Sequence, residues 1–312
     1  MNKVANLILL LILLNVLLFS AYFLYQNFPG ELQEFKILGQ VIGDIDVPEI
    51  YASDSVTQFY HNMRFNHNDI SYYINSECDD GRVKRVEEAF AIIETQVDSL
   101  SFFKTGIEAN ADILVACSPD TYEKQKNLFI VGEGGPTKII NSSLYPIILK
   151  GKVILYNESS CDKPITELHE IFHVLGFDHI NNSKMVMYPY VNCNQDINPN
   201  LIDMLEDLYS VEPFSELYFS NITAYKKGRY LFFDTLIKNR GMINAHAVAL
   251  EVYDSEEIID EFDLGIIEFG AGKSFYVKNL RLLDRNTDKI KIKINSRTQE
   301  LDDKNNVLEL KI

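Results

Sequence analysis

The chain has 312 residues, which allows one to three domains, and 46% of its residues are hydrophobic, enough for buried cores. Its 45 acidic and 29 basic side chains give a net charge of −16. This acidic balance argues against nucleic acid as a partner, because binding to phosphates needs a basic surface.

An almost wholly apolar stretch at residues 4–25 follows the single basic residue Lys3. A helix of that length reaches about 33 Å, and a bilayer core is about 30 Å thick. The stretch lacks a good small-residue cleavage site. We therefore predict that residues 1–25 form an uncleaved signal anchor, a single transmembrane helix that leaves the rest of the chain extracytoplasmic. The alternative is a secreted protein released by signal cleavage.

Residues 26–58 contain prolines, a glycine and scattered acidic side chains, which predicts a stalk with a short strand near residues 37–42. A catalytic domain is predicted at residues 59–212. It has a helix that opens after Asp79, a closing helix at 197–209 and several short strands. The predicted strands are 63–74, 101–104, 111–117, 138–140 and 152–156. The glycine-rich residues 132–136 predict a tight loop, and the lack of a following helix argues against a phosphate cradle.

The four cysteines are Cys78, Cys117, Cys161 and Cys193. None lies in a C-x-x-C pair, which argues against a structural zinc site, and three disulfide pairings are open. A bond between Cys161 and Cys193 would clamp both ends of the histidine-rich segment described next. Cys78 and Cys117 would then tie the first helix to a strand. Disulfides agree with an extracytoplasmic domain.

Three of the six histidines, His169, His173 and His179, fall within eleven residues. On a helix, His169 and His173 stand one turn apart on the same face and can bind one cation. Gly176 tolerates the left-handed conformation that ends a helix, so the chain can turn back and present His179. Three histidine ligands leave one position open, which is typical of a catalytic zinc site. A buried helix with satisfied histidines is the alternative, and it does not explain Glu170 and Gly176 at these offsets.

The pattern His169-Glu170-x-x-His173-x-x-Gly176-x-x-His179 resembles the zinc signature of the metzincin metallopeptidases. Met187 resembles their Met-turn methionine, and the Met-Tyr-Pro sequence that begins there is similar to the matrixin branch. The resemblance implies an α+β catalytic domain, with a mixed sheet and an active-site helix. It also implies one catalytic zinc ion bound by the three histidines, Glu170 as general base and Met187 as an apolar floor. Structural calcium stays open.

Two residues depart from the matrixin pattern. Ile180 follows the third histidine where a serine is usual, and Val191 stands where a tyrosine is usual, with Tyr190 one position earlier. The sequence therefore resembles a divergent, prokaryotic type of matrixin, and side-chain preference does not carry over. Residues 26–58 contain no cysteine, so the cysteine switch of animal matrixins is missing.

The resemblance also implies an edge strand that pairs with extended substrate, expected within residues 134–141. The candidate substrate-binding residues are Gly135, Lys138, Ile139, Pro189 and Tyr190.

Residues 214–312 change to alternating strands separated by Gly, Asn and Asp turns, which predicts an antiparallel sandwich of about seven strands. The predicted strands include 218–225, 230–238, 247–253, 273–277 and 290–294. Their turns resemble the CARDB family of Ig-like adhesion modules. An all-β Ig-like domain of this kind is a candidate for binding a cell-surface partner.

These features together predict a membrane-anchored extracytoplasmic zinc endopeptidase with protein or peptide substrates. In this hypothesis Glu170 takes a proton from the attacking water and returns it to the leaving amine. Two alternatives stay open from the sequence. One is a cell-surface adhesion protein with an inactive zincin scaffold, and the other is a zinc hydrolase of a non-protein amide.

Overall fold

The computed structural model describes residues 3–27, 32–33, 38–42, 55–119, 122–125, 128–142, 144–156 and 161–312. The chain divides into two compact units. One comprises Glu31–Pro213, and the other comprises Phe214–Ile312 together with Met1–Gly30. The helices are α1 (Lys3–Asn27), α2 (Asp80–Glu94), α3 (Ile165–Val174) and α4 (Pro199–Tyr209).

A mixed sheet forms the centre of the first unit. Its strands are β1 (Leu32–Gln33), β2 (Leu38–Ile42), β3 (Arg64–Phe65), β4 (Asp69–Ile74), β5 (Ser101–Lys104), β6 (Ile113–Cys117), β7 (Tyr122–Gln125), β8 (Leu128–Asn141) and β9 (Pro146–Leu155). The main order is β1-β8-β9-β6-β4-β5, with β2 and β7 also paired to β8 and β3 paired to β9. Pairs on the β4, β5 and β6 side are parallel, whereas every pairing of β8 is antiparallel. The predicted mixed sheet is therefore present.

Helix α2 packs its apolar face into the core of this unit. Asp79 caps it by accepting a hydrogen bond from the backbone N–H of Arg82 at 2.9 Å. Val86, Phe90 and Ile93 recur at helical spacing and are buried, as the periodicity predicts. They belong to the same hydrophobic cluster as the apolar residues of α3 and α4.

Three sequence predictions for this unit need correction. The single strand predicted at residues 63–74 is two strands, β3 and β4, with a turn between them. The tight loop predicted at 132–136 is wrong, because these residues lie inside β8 and their glycines allow a close approach to α3. The stalk predicted at 26–58 contains β1 and β2, which belong to the sheet; residues 28–31, 34–37 and 43–54 of that stretch lie outside the described residues.

Two disulfide bonds staple the first unit. Cys78 pairs with Cys117, and Cys161 pairs with Cys193. The first bond joins the turn before α2 to the end of β6. The second joins the residues on either side of the histidine-rich segment. Of the three pairings that the sequence left open, the structure contains the one that clamps this segment.

Helix α1 includes the apolar N-terminal stretch. Among the described residues, no helix combines the length and apolarity needed to cross a membrane. The transmembrane helix and signal anchor predicted at residues 1–25 are therefore not supported by the structure.

The second unit contains two antiparallel sheets. Its strands are β10 (Leu217–Lys227), β11 (Tyr230–Asn239), β12 (Ala245–Asp254), β13 (Glu257–Ile267), β14 (Gly272–Arg281), β15 (Lys289–Asn295) and β16 (Val307–Lys311). They form one sheet in the order β10-β11-β14 and another in the order β13-β12-β15-β16. Phe233, Leu250 and Ile292 are buried in one hydrophobic cluster drawn from both sheets. The structure therefore shows antiparallel sheets consistent with the predicted sandwich.

Candidate active site

The site is built on α3, whose ten residues are all buried. The helix stops at Val174, and Gly176 adopts φ +95°, a conformation that favours glycine. The N–H of Gly176 donates to the carbonyl of His173 at 3.0 Å. This turn redirects the chain, so that residues beyond the helix come back to its histidine-bearing face.

The structure brings the three predicted imidazoles together. The Nε2 atoms of His169 and His173 are 2.9 Å apart, and Nε2 of His179 lies 3.2 Å and 3.1 Å from them, respectively. His169 and His173 are completely buried, and His179 is partly exposed. The three nitrogens therefore converge on one point that has limited access to solvent.

Backbone carbonyls orient two of the rings. Nδ1 of His169 donates to the carbonyl of Val186 at 2.6 Å, and Nδ1 of His173 donates to that of Phe177 at 2.7 Å. Because a carbonyl only accepts, the hydrogen sits on Nδ1 and the lone pair of Nε2 faces the centre of the cluster. Burial, with His179 as a second cause, lowers the pKa of His169 to about 3. Burial and the two neighbouring rings also hold the pKa of His173 well below its usual value.

These donors fit a zinc ion. Neutral imidazole is a preferred zinc ligand, and tetrahedral bonds of about 2.0 Å would place two ligand nitrogens about 3.3 Å apart. The observed separations of 2.9–3.2 Å are close to this. Three lone pairs directed at one another repel unless a cation lies between them.

Met187 is fully buried beside the site, and its carbonyl accepts from the N–H of Ile180 at 3.0 Å.

Glu170 is a buried carboxyl on the same helix. It is fully buried, and neither of its carboxyl oxygens has a hydrogen-bond partner among the residues that the structure describes. Burial, followed by the charges of Glu133 and Glu167, raises its pKa well above the usual value. A buried carboxyl without partners is costly for folding alone, so its position indicates a functional role.

Strand β8 passes unusually close to Glu170. A Cβ built on Gly132 would lie 2.8 Å from Oε1 of Glu170, and one built on Gly134 would lie 2.2 Å from its backbone oxygen. Real side chains do not tolerate such distances. Both glycines have extended backbone, so neither forms a turn. Their lack of a side chain allows β8 to pack closely on α3.

A buried ion pair fixes the beginning of α3 against α2. Arg85 Nε donates to Glu167 Oε1 at 2.9 Å, and its Nη1 and Nη2 donate to the carbonyls of Cys161 and Lys163. The side chains of Arg85 and Glu167 are 17% and 3% exposed, so solvent screens the pair weakly. Glu167 lies two residues before His169, the first candidate metal ligand.

We expect Arg85→Ala to lower the free energy of unfolding by about 3–5 kcal/mol, because it leaves Glu167 buried without its partner. Urea unfolding of the full chain, followed by tyrosine fluorescence and circular dichroism, measures the change. Lys104→Ala is the matched control, since its pair with Glu87 is about half exposed. The control should cost under about 1 kcal/mol. Equal losses in the two variants would contradict the role of the Arg85 contact.

The predicted substrate-binding residues differ in their surroundings. Gly135 and Lys138 lie on β8 and pair with Lys152 and Lys150 of β9. Ile139 is 1% exposed and belongs to the core, so its side chain is not available to a substrate. Pro189 is buried and Tyr190 is partly buried. The Tyr190 ring lies 5.7 Å from that of Tyr188.

The structure adds site residues that the sequence analysis did not identify. The carbonyls of Val186 and Phe177 orient the histidines, and Phe59 stacks on His173 with ring centroids 5.8 Å apart. Backbone carbonyls carry no side-chain signal. Phe59 precedes α3 by more than a hundred residues, so no local pattern could link the two.

The segment that contains the three histidines matches a known protein family. Residues 64–210, slightly under half of the chain, match the family model of the matrixins. No curated protein matches the chain. Among solved structures, high choriolytic enzyme 1, a hatching-enzyme zinc protease from the medaka fish Oryzias latipes, is similar at 15% identity and a TM-score of 0.33. That match covers 50% of this chain and 99% of that one.

Two other solved structures match the chain over very different lengths. The CARDB domain of a Pyrococcus furiosus protein matches at 15% identity and a TM-score of 0.27, covering 32% of this chain and 87% of that one. OgpA from Akkermansia muciniphila matches at 10% identity and a TM-score of 0.22, covering 80% and 93%.

His169 and His173 of α3 converge with His179, which follows the helix, and the three form a group that could hold a metal ion. The match over residues 64–210 makes this segment similar to the matrixins, and together with the three histidines inside it this supports a zinc metallopeptidase.

Proposed function

We propose that the chain is a zinc-dependent endopeptidase that hydrolyses peptide bonds at the His169, His173 and His179 site. The observation that carries this proposal is the convergence of three Nε2 atoms, with the buried carboxyl of Glu170 next to His169 on α3 and without a hydrogen-bond partner among the described residues. The three imidazoles would hold one ion. When bound, zinc supplies a Lewis acid that polarises a carbonyl and increases the acidity of water.

Glu170 is the general base in this proposal. Its raised pKa suits a carboxylate that first accepts a proton from the attacking water and then donates it to the leaving amine. The apolar surroundings that raise the pKa also exclude competing water. The Val186 and Phe177 carbonyls keep His169 and His173 in the tautomer that directs Nε2 towards the ion.

An extracytoplasmic location is part of the proposal. Two disulfides within one unit are expected in an oxidising compartment, and they are rare where thiols are kept reduced. The apolar stretch at residues 4–25 supports export as well.

The proposal is tested with the purified full chain. We expect one equivalent of zinc by elemental analysis and cleavage of peptides within a proteome-derived library, identified by mass spectrometry. A chelator should remove the zinc and abolish cleavage, and added zinc should restore both. A fully zinc-loaded chain that cuts no peptide or unfolded protein would falsify the proposal.

A further inference from the structure

The outer face of the sheet β10-β11-β14 is rich in aromatic side chains. Alternate residues of β11 are buried, so the residues between them point away from the core, as do their register partners on β10 and β14. Five aromatic residues lie on this face: Tyr218, Tyr225, Tyr230, Phe232 and Tyr276. Three of them, Tyr225, Tyr230 and Tyr276, are 46–54% exposed. The solvent-facing side of an antiparallel sheet is normally polar, so this group of rings indicates a contact surface.

Basic side chains accompany these rings. The three strands contain six Lys and Arg residues, two on β10, one on β11 and three on β14, and one acidic residue, Asp234. On the outer face, Lys227 and Arg281 lie on either side of Tyr230. Strands β12 and β13 of the other sheet contain six acidic residues, two and four respectively, and no Lys or Arg. The charge of the unit is therefore unevenly distributed, and an anionic surface would attract its basic sheet.

Several ring faces are already in contact with other side chains. The rings of Tyr225 and Phe232 stack in parallel, with their centroids 4.9 Å apart. Nζ of Lys278 lies 5.0 Å from the centroid of the Tyr276 ring. Bases and sugar rings bind by stacking on free ring faces, whereas tyrosines at a membrane interface place their amphipathic rings among lipid headgroups. Rings that stack on one another and on a cation suit the second kind of contact better.

Helix α1 adds an apolar surface next to this sheet. It contacts β14 within the same compact unit. Its described side chains, at residues 10–22, are all exposed, and most of them are large and apolar. A soluble acidic polymer offers no apolar phase to such side chains, whereas a lipid surface has one directly behind its headgroups. The neighbouring helix therefore favours lipid as the partner of the basic sheet.

We propose that the outer face of β10, β11 and β14 docks on an anionic lipid surface. Its tyrosines lie in the headgroup region, and its Lys and Arg side chains contact the lipid phosphates. Each Lys or Arg close to an anionic membrane strengthens binding about fivefold. This contact is peripheral and uses a sheet face, so it depends neither on zinc nor on peptide hydrolysis.

The test uses a tryptophan as a local reporter, because the chain contains none. Tyr276→Trp places the reporter on the outer face, and Ile258→Trp is the matched control on β13, where the side chain is 53% exposed. Each full-length variant is titrated with vesicles of equal parts phosphatidylglycerol and phosphatidylcholine, and with vesicles of phosphatidylcholine alone. We expect the emission to shift to the blue only for Tyr276→Trp and only with the anionic vesicles. A folded Tyr276→Trp chain that shows no shift, or the same shift in Ile258→Trp, would overturn the proposal.

Neutral substitutions test the charges of the face. In the Tyr276→Trp chain, the combined changes are Lys227→Gln, Lys238→Gln and Arg281→Gln. At about fivefold for each charge, the partition coefficient for anionic vesicles should fall about 100-fold. The control removes the same charge from the other sheet through Lys289→Gln, Lys291→Gln and Lys293→Gln on β15. It should stay within about threefold of the parent, because charges beyond a Debye length are largely screened. Equal losses in the two triple variants would contradict docking through the basic face.

A soluble polyanion distinguishes lipid from an acidic polysaccharide. Polygalacturonate carries negative charge but has no apolar layer, so its binding through charge should leave the emission of Tyr276→Trp unchanged. A blue shift with polygalacturonate and none with the vesicles would assign the face to an acidic polysaccharide and overturn the lipid proposal.

Discussion

Glu170→Ala should abolish peptide cleavage while leaving the zinc content at the level of the parent chain. Glu170 follows His169 on α3, and it is not among the three side chains whose ligand atoms converge. Its removal takes away the proton acceptor, and general acid–base groups typically contribute about 10²–10⁴-fold to rate. We expect kcat to fall by that amount. Zinc by elemental analysis and initial rates on a library-derived peptide measure the two effects.

The control for this variant is Glu88→Ala, which removes an exposed carboxyl from α2. It should keep both zinc and activity. Loss of zinc in Glu170→Ala would show that the carboxyl helps to bind the metal. A kcat within tenfold of the parent would show that another group accepts the proton.

Gly134→Ala should have the largest effect on stability of any single methyl addition at the site. The new Cβ would lie 2.2 Å from the backbone oxygen of Glu170 and 2.7 Å from its Cα, so β8 and α3 must separate. Overpacking usually costs about 1–3 kcal/mol, and a clash between two backbones is expected at or above the top of that range. Urea unfolding gives the stability, and zinc content reports whether α3 has shifted.

Gly106→Ala is the matched control, because a Cβ there would meet no atom within 4 Å. Its effect should stay within about 0.5 kcal/mol. If Gly134→Ala were equally mild, the strand and the helix would not be in the close contact that places β8 beside Glu170.

The convergence of the three histidines could be predicted, because these side chains follow a fixed local spacing. His169, Glu170 and His173 follow helical offsets, and Gly176 marks the end of the helix. The pairing of Cys161 with Cys193 was one of three possibilities, and only the folded structure selects it. Side-chain type and short-range spacing were sufficient to predict which histidines come together.

Long-range pairing was harder to predict. Residues 132–136 have the glycine content of a turn, yet they lie within strand β8. Gly132 and Gly134 are accommodated there because α3 leaves no space for a Cβ. Strands β1 and β2 follow a proline and a glycine, which suggested a stalk, whereas both pair with β8, about a hundred positions later. The pairing of distant strands depends on which strand edges are free, and this is known only once the sheet has folded.

The Cys161–Cys193 bond has a consequence for the denatured chain. The bond links residues 32 positions apart, and the three convergent histidines lie inside the loop that it closes. In the oxidised, unfolded protein the imidazoles therefore remain a tethered set with restricted separation. Under the proposed zinc site, any binding of zinc to this unfolded loop would subtract from the stabilisation that the ion gives the native state. The disulfide therefore restricts the conformations of the unfolded chain that would meet the ion. The redox state of Cys161 and Cys193 would thus affect how strongly zinc stabilises the fold.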